Sequence, residues 1–334
     1  MMSALPSDFR PDVRRGTQLF IAAFGALALA HALGLRNPFW AAMPVWVVSQ
    51  PWRQDILIRG GLRLLGTMLG AGVGFAALAA FDDPVALAIC LALTAGVSVT
   101  VAYWIGTIYS YGALMTSMTC AVVMLPALAA HDDGLALAVD RTWCTVIGVM
   151  AVTLATVAFT PPREEPHRFR FEEHGLAVAL RRGGVAAFCA VAGIALVLAT
   201  ESFVAVAAAL SICIFSSIIG SMADPRPVLK NLLPGATLGV LAGLVYRLGG
   251  DALGFGPEAM LLFAALFILA GAMIRATPRI APLGLDGNMC FLLSAEVGAR
   301  GHGPVLHVTS AIALLAGAGV MVLIYRALLA RQLV

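Results

Sequence analysis

TPPREEPHRFRFEEHG, residues 160–175, is the longest hydrophilic stretch in a chain that otherwise has almost none. Of the 334 residues, 60% are hydrophobic and only 12% are charged, and the mean hydropathy is +0.93. A soluble domain of that composition would expose far too much apolar surface, so lipid is the solvent for most of the chain. The stretch at 160–175 then reads as a loop in water between two membrane-embedded blocks.

A helix crosses the ~30 Å hydrocarbon core with about 20 residues. That ruler predicts spans at 17–35, 38–52, 62–81, 84–103, 106–130 and 142–160 before the loop. After it the ruler predicts 183–200, 202–222, 232–249, 258–274, 281–299 and 305–328. The run 84–130 is too long for one span and is divided at Trp104-Ile105-Gly106. The fold expected is an all-α polytopic membrane protein of about 12 transmembrane helices. Its expected parts are a first six-helix half over 1–160, a cytoplasmic linker over 161–180 and a second half over 181–334.

The charges test that division independently. With a cytoplasmic N-terminus, seventeen of the twenty-one Lys and Arg residues fall on the cytoplasmic side, all but Arg36, Arg141, Arg247 and Arg300. Opposite loops carry Asp82-Asp83 and Asp132-Asp133. This bias predicts N-in, C-in topology. The two blocks also echo each other. Arg14-Arg15-Gly16 matches Arg181-Arg182-Gly183, and LLGTMLGAGVG (64–74) matches LLPGATLGVLAG (232–243), aligning Gly66, Gly70 and Gly74 with Gly235, Gly239 and Gly243. Two halves of even span number share one orientation, so the expected architecture is a fused pseudo-dimer of parallel repeats. The pathway is expected near the interface between them.

The second span, NPFWAAMPVWVVSQPWR (37–53), is unlike the rest. Pro44 removes a backbone hydrogen bond in mid-span, and irregular backbone at membrane depth is tolerated only away from lipid. A buried helix facing the pathway is the expectation, with Trp40, Trp46 and Gln50 as candidate substrate contacts. Arg59, Arg63, Gly66, Gly70 and Gly74 fall on one stripe of the third helix. The two guanidiniums could collect a carboxylate at the cytoplasmic mouth, or could snorkel there as interfacial anchors. The glycine spacing, like that of Gly235, Gly239 and Gly243, is how membrane helices pack closely.

These motifs carry a resemblance. Pro38, Trp40, Gln50, Pro51, Arg63, Leu64, Leu65, Gly66, Thr67 and Gly70, with a weaker echo in Arg141 and Gly148, are similar to the fusaric acid resistance-like (FUSC) family, which includes the aromatic acid exporters. The resemblance implies an inner-membrane exporter of aromatic or related organic acids working beside a periplasmic adaptor subunit. It also implies distant kinship with plant aluminium-activated malate channels. The larger exporters carry a sizeable cytoplasmic domain after each membrane half, whereas here the linker is short.

Asp286 and Glu296, both on the eleventh helix, are the carboxylates placed well within a span. Charge in lipid needs a cavity or partner, so each is a candidate proton-coupling site. Capping by Asp286 and a Glu296–Arg300 pair are the structural alternatives. Tyr109 and Tyr111 could stack on an aromatic substrate or belong to the interfacial belt. His31 and His307 read as packing residues more readily than as relays, and Arg141 beside Asp140 as an anion contact or a helix-end pair. All six cysteines fall inside apolar runs without metal-ligand spacing and read as small buried hydrophobes. No cofactor, metal or nucleic-acid partner is expected, and the N-terminus does not read as a cleaved signal. HExxH, GxSxG and phosphate-loop patterns are missing from the sequence, which argues against an enzyme. The function expected is proton-coupled export of an organic acid anion, with a passive anion channel or a structural membrane subunit as alternatives. Homo-oligomerisation is left open.

Overall fold

In a computed structural model, residues 11–50, 52–130, 133–159, 174–299 and 301–331 are described. Among them there are twelve α-helices and no strand. The first six are α1 (Pro11–Ala32), α2 (Phe39–Val48), α3 (Arg53–Ala80), α4 (Pro84–Ile105), α5 (Tyr111–Ala130) and α6 (Gly134–Phe159). The second six are α7 (Leu176–Thr200), α8 (Phe203–Gly220), α9 (Arg226–Ala252), α10 (Pro257–Ala276), α11 (Ala281–Ala295) and α12 (Pro304–Ala330). Nine of the described helices are long and apolar enough to cross a membrane; α1, α2 and α11 are not in that set. The chain is a multi-pass membrane protein. Helices dominate because lipid offers the backbone no hydrogen-bond partner, so each spanning segment must satisfy its own amides.

Local sequence sets the breaks. Asp83 caps α4, accepting from the amides of Val85 and Ala86 at 3.3 and 3.2 Å, with Pro84 at the first helical position. The same helix stops at Gly106, whose φ of +64° suits a residue without Cβ. A one-turn 3-10 helix (Ile108–Ser110), capped by Thr107, then leads into α5. Of the linker expected over 161–180, residues 161–173 lie outside the described ones, and α7 already begins at Leu176.

Several helices differ from the spans that hydropathy alone marks out. The third begins at Arg53 and the sixth at Gly134, nine and eight residues before the expected 62 and 142. Hydropathy stops at the first charge, but a helix that turns its charges inward can continue past it. Helix α3 shows how. Arg63, Gly66, Thr67, Gly70 and Gly74 are buried, while Leu65 and Leu69 are 60% and 61% exposed on the opposite face. Apolar side chains meet the lipid, and small or polar groups meet protein.

Most of the aligned glycines sit at close helix contacts. A Cβ on Gly66 would lie 2.2 Å from the Gly112 carbonyl oxygen, and one on Gly70 2.4 Å from that of Thr116, so α3 and α5 touch backbone to backbone. In the second half a Cβ on Gly239 would lie 2.1 Å from the Gly287 carbonyl oxygen, and one on Gly243 2.1 Å from Ser294 Oγ, which joins α9 to α11. Other packings recur six helices on: α2 with α6 and α8 with α12, α4 with α7 and α10 with α1, α5 with α8 and α11 with α2. At one of these seams Ser117 of α5 and Ser217 of α8 share a buried hydrogen bond of 2.8 Å.

Candidate functional site

Helix α2 has ten residues, about 15 Å at 1.5 Å per residue, half the ~30 Å hydrocarbon core. The span expected over 38–52 is therefore a half-length helix. Nine of its ten residues are buried, including Trp40, Pro44 and Trp46. It sits so close to α6 that a Cβ on Gly148 would lie 2.2 Å from the Ala41 carbonyl oxygen and 2.7 Å from Pro44 Cγ. After Val48 the chain leaves the helix, with Ser49 and Gln50 half-buried in the connection to α3.

Arginine side chains gather around this short helix. Arg59 of α3 donates from Nη1 to the Val47 carbonyl oxygen at 2.9 Å, near the C-terminal end of α2, and its guanidinium carbon lies 5.0 Å from the Tyr111 ring centroid. Asp55, one turn earlier on α3, acts on the same guanidinium. Arg63 is 2% exposed and donates to the Tyr111 hydroxyl. It lies ten residues into α3, about 15 Å from the helix start. The Arg63 head group is enclosed by protein.

Arg141 joins these residues from α6. It is 5% exposed, and its guanidinium carbon stacks 3.9 Å from the Trp40 ring centroid. The pair with Asp140 considered from sequence is not made. Asp140 accepts instead from the Arg36 amide at 2.7 Å and from Asn37 Nδ2 at 3.3 Å. Arg63 and Tyr111 lie close enough to act on the Arg141 charge. Buried polar atoms without a hydrogen-bond partner in these helices include Nε of Arg59, Nε of Arg63, Nε and Nη1 of Arg141, Nε1 of Trp46 and Oγ1 of Thr67. Buried donors are nearly always bonded, so such a set of orphans is unusual.

Other candidates lie elsewhere. Asp286 is half-buried on α11, where its Cβ is the atom that a Cβ on Gly235 would meet at 2.6 Å. The cation acting on it is Arg275 of α10, which in turn feels Arg15 and Arg59. Glu296 is ten residues further along, just past the end of α11, about 15 Å away by helical rise. The two carboxylates therefore belong to different sites. Glu296 holds a left-handed backbone, φ +44°, and its Oε2 lies 3.4 Å from His302 Nε2. His307 Nε2 accepts from the His302 amide at 3.0 Å, and the His302 ring lies 4.6 Å from that of Phe203. Arg300, the partner considered for Glu296, lies outside the described residues. His31 Nε2 lies 3.8 Å from Glu258 Oε1, which ties α1 to α10. Tyr109 is half-buried on the 3-10 turn, with its amide 3.4 Å from Thr107 Oγ1. All six cysteines are free thiols and all but Cys90 are buried.

Residues 16–170 match the fusaric acid resistance protein family. The match spans somewhat less than half of the chain. It is also 26% identical over 161 residues to the p-hydroxybenzoic acid efflux pump subunit AaeB of Musicola paradisiaca (strain Ech703), a match covering 45% of this chain and 25% of that protein. The chain thus aligns with about a quarter of the relative's length. No solved structure matches the chain. The fusaric acid resistance segment contains Trp40, Arg59, Arg63, Tyr111 and Arg141, whereas Asp286 and Glu296 lie beyond it. Arg141 is the residue that sequence spacing undervalued. Its sequence signals were its place beside Asp140, read as an anion contact or a helix-end pair, and the family echo with Gly148; its burial against Trp40 was not among them.

Proposed function

We propose that this chain is a secondary transporter of the inner membrane that exports aromatic or related organic acid anions, driven by the proton gradient. The observation that carries the reading is the set of arginines around a half-length, buried α2. An anion entering from the cytoplasm would meet Arg59 at the end of α2, with Arg15 and Arg275 adding positive field from the neighbouring helices. Arginine suits a carboxylate because its planar fork matches both oxygens. The function of the AaeB relative, efflux of p-hydroxybenzoic acid, supports an aromatic acid as the cargo. Its description as a pump subunit supports a periplasmic adaptor as partner.

In this reading the molecule is two parallel six-helix halves with both ends cytoplasmic. The helix packings that recur six helices apart and the cytoplasmic excess of Lys and Arg support that arrangement. Asp286 is the coupling carboxylate. It shares its surroundings with Arg275, on which Arg59 also acts, so protonation at Asp286 would alter the field that the anion meets. Glu296, beside His302 near the opposite end of α11, is the second candidate.

Proteoliposomes loaded with p-hydroxybenzoate, with and without an imposed proton gradient, test this. The expected result is flux accelerated by the gradient in the unaltered protein and indifferent to it in Asp286→Asn. Flux indifferent to the gradient in the unaltered protein would establish a passive anion channel instead. No flux from folded protein would favour a structural subunit.

A further inference from the structure

We propose that Arg63 and Arg141 form a carboxylate seat at mid-membrane depth inside the first six-helix half, walled by Trp40 and Tyr111. This rests on the export reading and names where within it the cargo is held. The seat is not in the seam between the halves, and Arg141 becomes a binding residue.

Three independent features point to a missing anion. Both guanidiniums are almost fully buried, and neither has a carboxylate within ion-pair distance among the described residues. A buried cation without a counter-charge is costly, and two near each other more so. The neighbouring acid, Asp140, acts on the Arg141 charge but makes no ion pair with it, its oxygens accepting from the Arg36 amide and Asn37. Both arginines also keep buried N–H donors with nothing to bond, at Arg63 Nε and at Arg141 Nε and Nη1. Finally, the Arg141 guanidinium carbon lies 3.9 Å from the Trp40 ring centroid, so the aromatic face takes one side of the cation while Nε and Nη1 stay unbonded.

The second half lacks this arrangement. By the glycine alignment, Leu232 occupies the position of Arg63. One seat per chain follows, and the two halves are chemically distinct.

The donors demand negative charge, and their planar forks favour a carboxylate over a spherical ion. Titrating the nanodisc-embedded full chain with benzoate, benzamide and chloride, by tryptophan fluorescence and calorimetry, tests the seat. Benzoate should bind, the uncharged isostere benzamide should not, and chloride should compete only weakly. Arg63→Gln and Arg141→Gln should each weaken benzoate binding at least ~30-fold, the factor expected for losing one partner of a buried charge pair. Should either glutamine variant fail to fold, Arg141→Lys keeps the charge without the stacked fork and should still bind about tenfold more weakly. Equal binding of benzoate and benzamide, or wild-type affinity in folded Arg63 and Arg141 variants, overturns the seat. Chloride binding as tightly as benzoate also overturns it, in favour of an inorganic anion site. Export that persists while those variants bind normally leaves the transport reading standing without the seat. Binding without any export leaves the seat and removes the transport reading.

Discussion

The buried arginines of the two halves have opposite surroundings. In the second half Arg247 donates from Nε to the Ala295 carbonyl oxygen at 2.5 Å and from Nη2 to those of Glu296 and Ala299 at 2.6 and 3.3 Å, binding carbonyls at and just beyond the end of α11. Arg182 does the same for α8, donating to the carbonyl oxygens of Gly220 and Met222, and lies 4.2 Å from the Tyr103 ring. Both arginines serve as helix C-caps built from side chains. Arg63 in the first half donates to a hydroxyl and Arg141 lies on an aromatic face; Nε of both and Nη1 of Arg141 are left over, whereas Arg182 leaves over its Nε but bonds two backbone carbonyls. Burial alone therefore does not identify a functional arginine; what its N–H groups bond to does.

The sharpest way to break this contrast is to remove one arginine of each kind. Arg247→Ala should cost about 3 kcal/mol of stability, because several backbone acceptors lose a charged donor at once. Arg63→Gln should stay within about 1 kcal/mol of the wild type, since it also removes an uncompensated buried charge. Denaturation in mixed micelles reads both, and equal losses would erase the distinction. A smaller effect compares one glycine from each stripe. Gly239→Ala should destabilise by roughly 1–3 kcal/mol, because its Cβ would lie 2.1 Å from the Gly287 carbonyl oxygen. Gly74→Ala, whose Cβ would lie 3.3 Å from the Cys120 carbonyl oxygen, should be close to neutral. The smallest effect concerns the contact between halves: a double-mutant cycle on Ser117→Ala and Ser217→Ala should give about 0.6 kcal/mol of coupling, typical of membrane side-chain hydrogen bonds. A coupling of zero would mean that their 2.8 Å contact does not tie α5 to α8.

Much of the fold was legible because lipid imposes few solutions. The break at Gly106 and the glycine stripes of α3 and α9 follow from residue chemistry that acts over a few positions. The true starts of α3 and α6 were hidden because hydropathy reads Arg59 and Arg141 as leaving the membrane, when packing half-buries the first and buries the second. The length of α2 was hidden for a related reason: the sequence shows an apolar run with prolines, but only its neighbours decide that it stops at Val48. Arg63 and Tyr111 were each visible as candidates, yet their joining needed α3 and α5 to meet, and the involvement of Arg141 needed α6 against α2.

The glycine contacts have a mechanical side. Backbone contact at Gly66 and Gly70 fuses α3 and α5 into one plank, and the fit of Gly148 onto Ala41 and Pro44 fuses α2 and α6 into another. Each plank carries one arginine with its own aromatic partner: Arg63 with Tyr111 on the first, Arg141 with Trp40 on the second. The planks meet where Val149 Cγ1 lies 2.9 Å from the position of a Gly60 Cβ. We hypothesise that loading and release part these two jaws along the α3–α6 face while each stays rigid. A cross-link between positions 60 and 149 should then arrest transport while a cross-link between α3 and α5 does not, and arrest by both or by neither would discard the jaw motion.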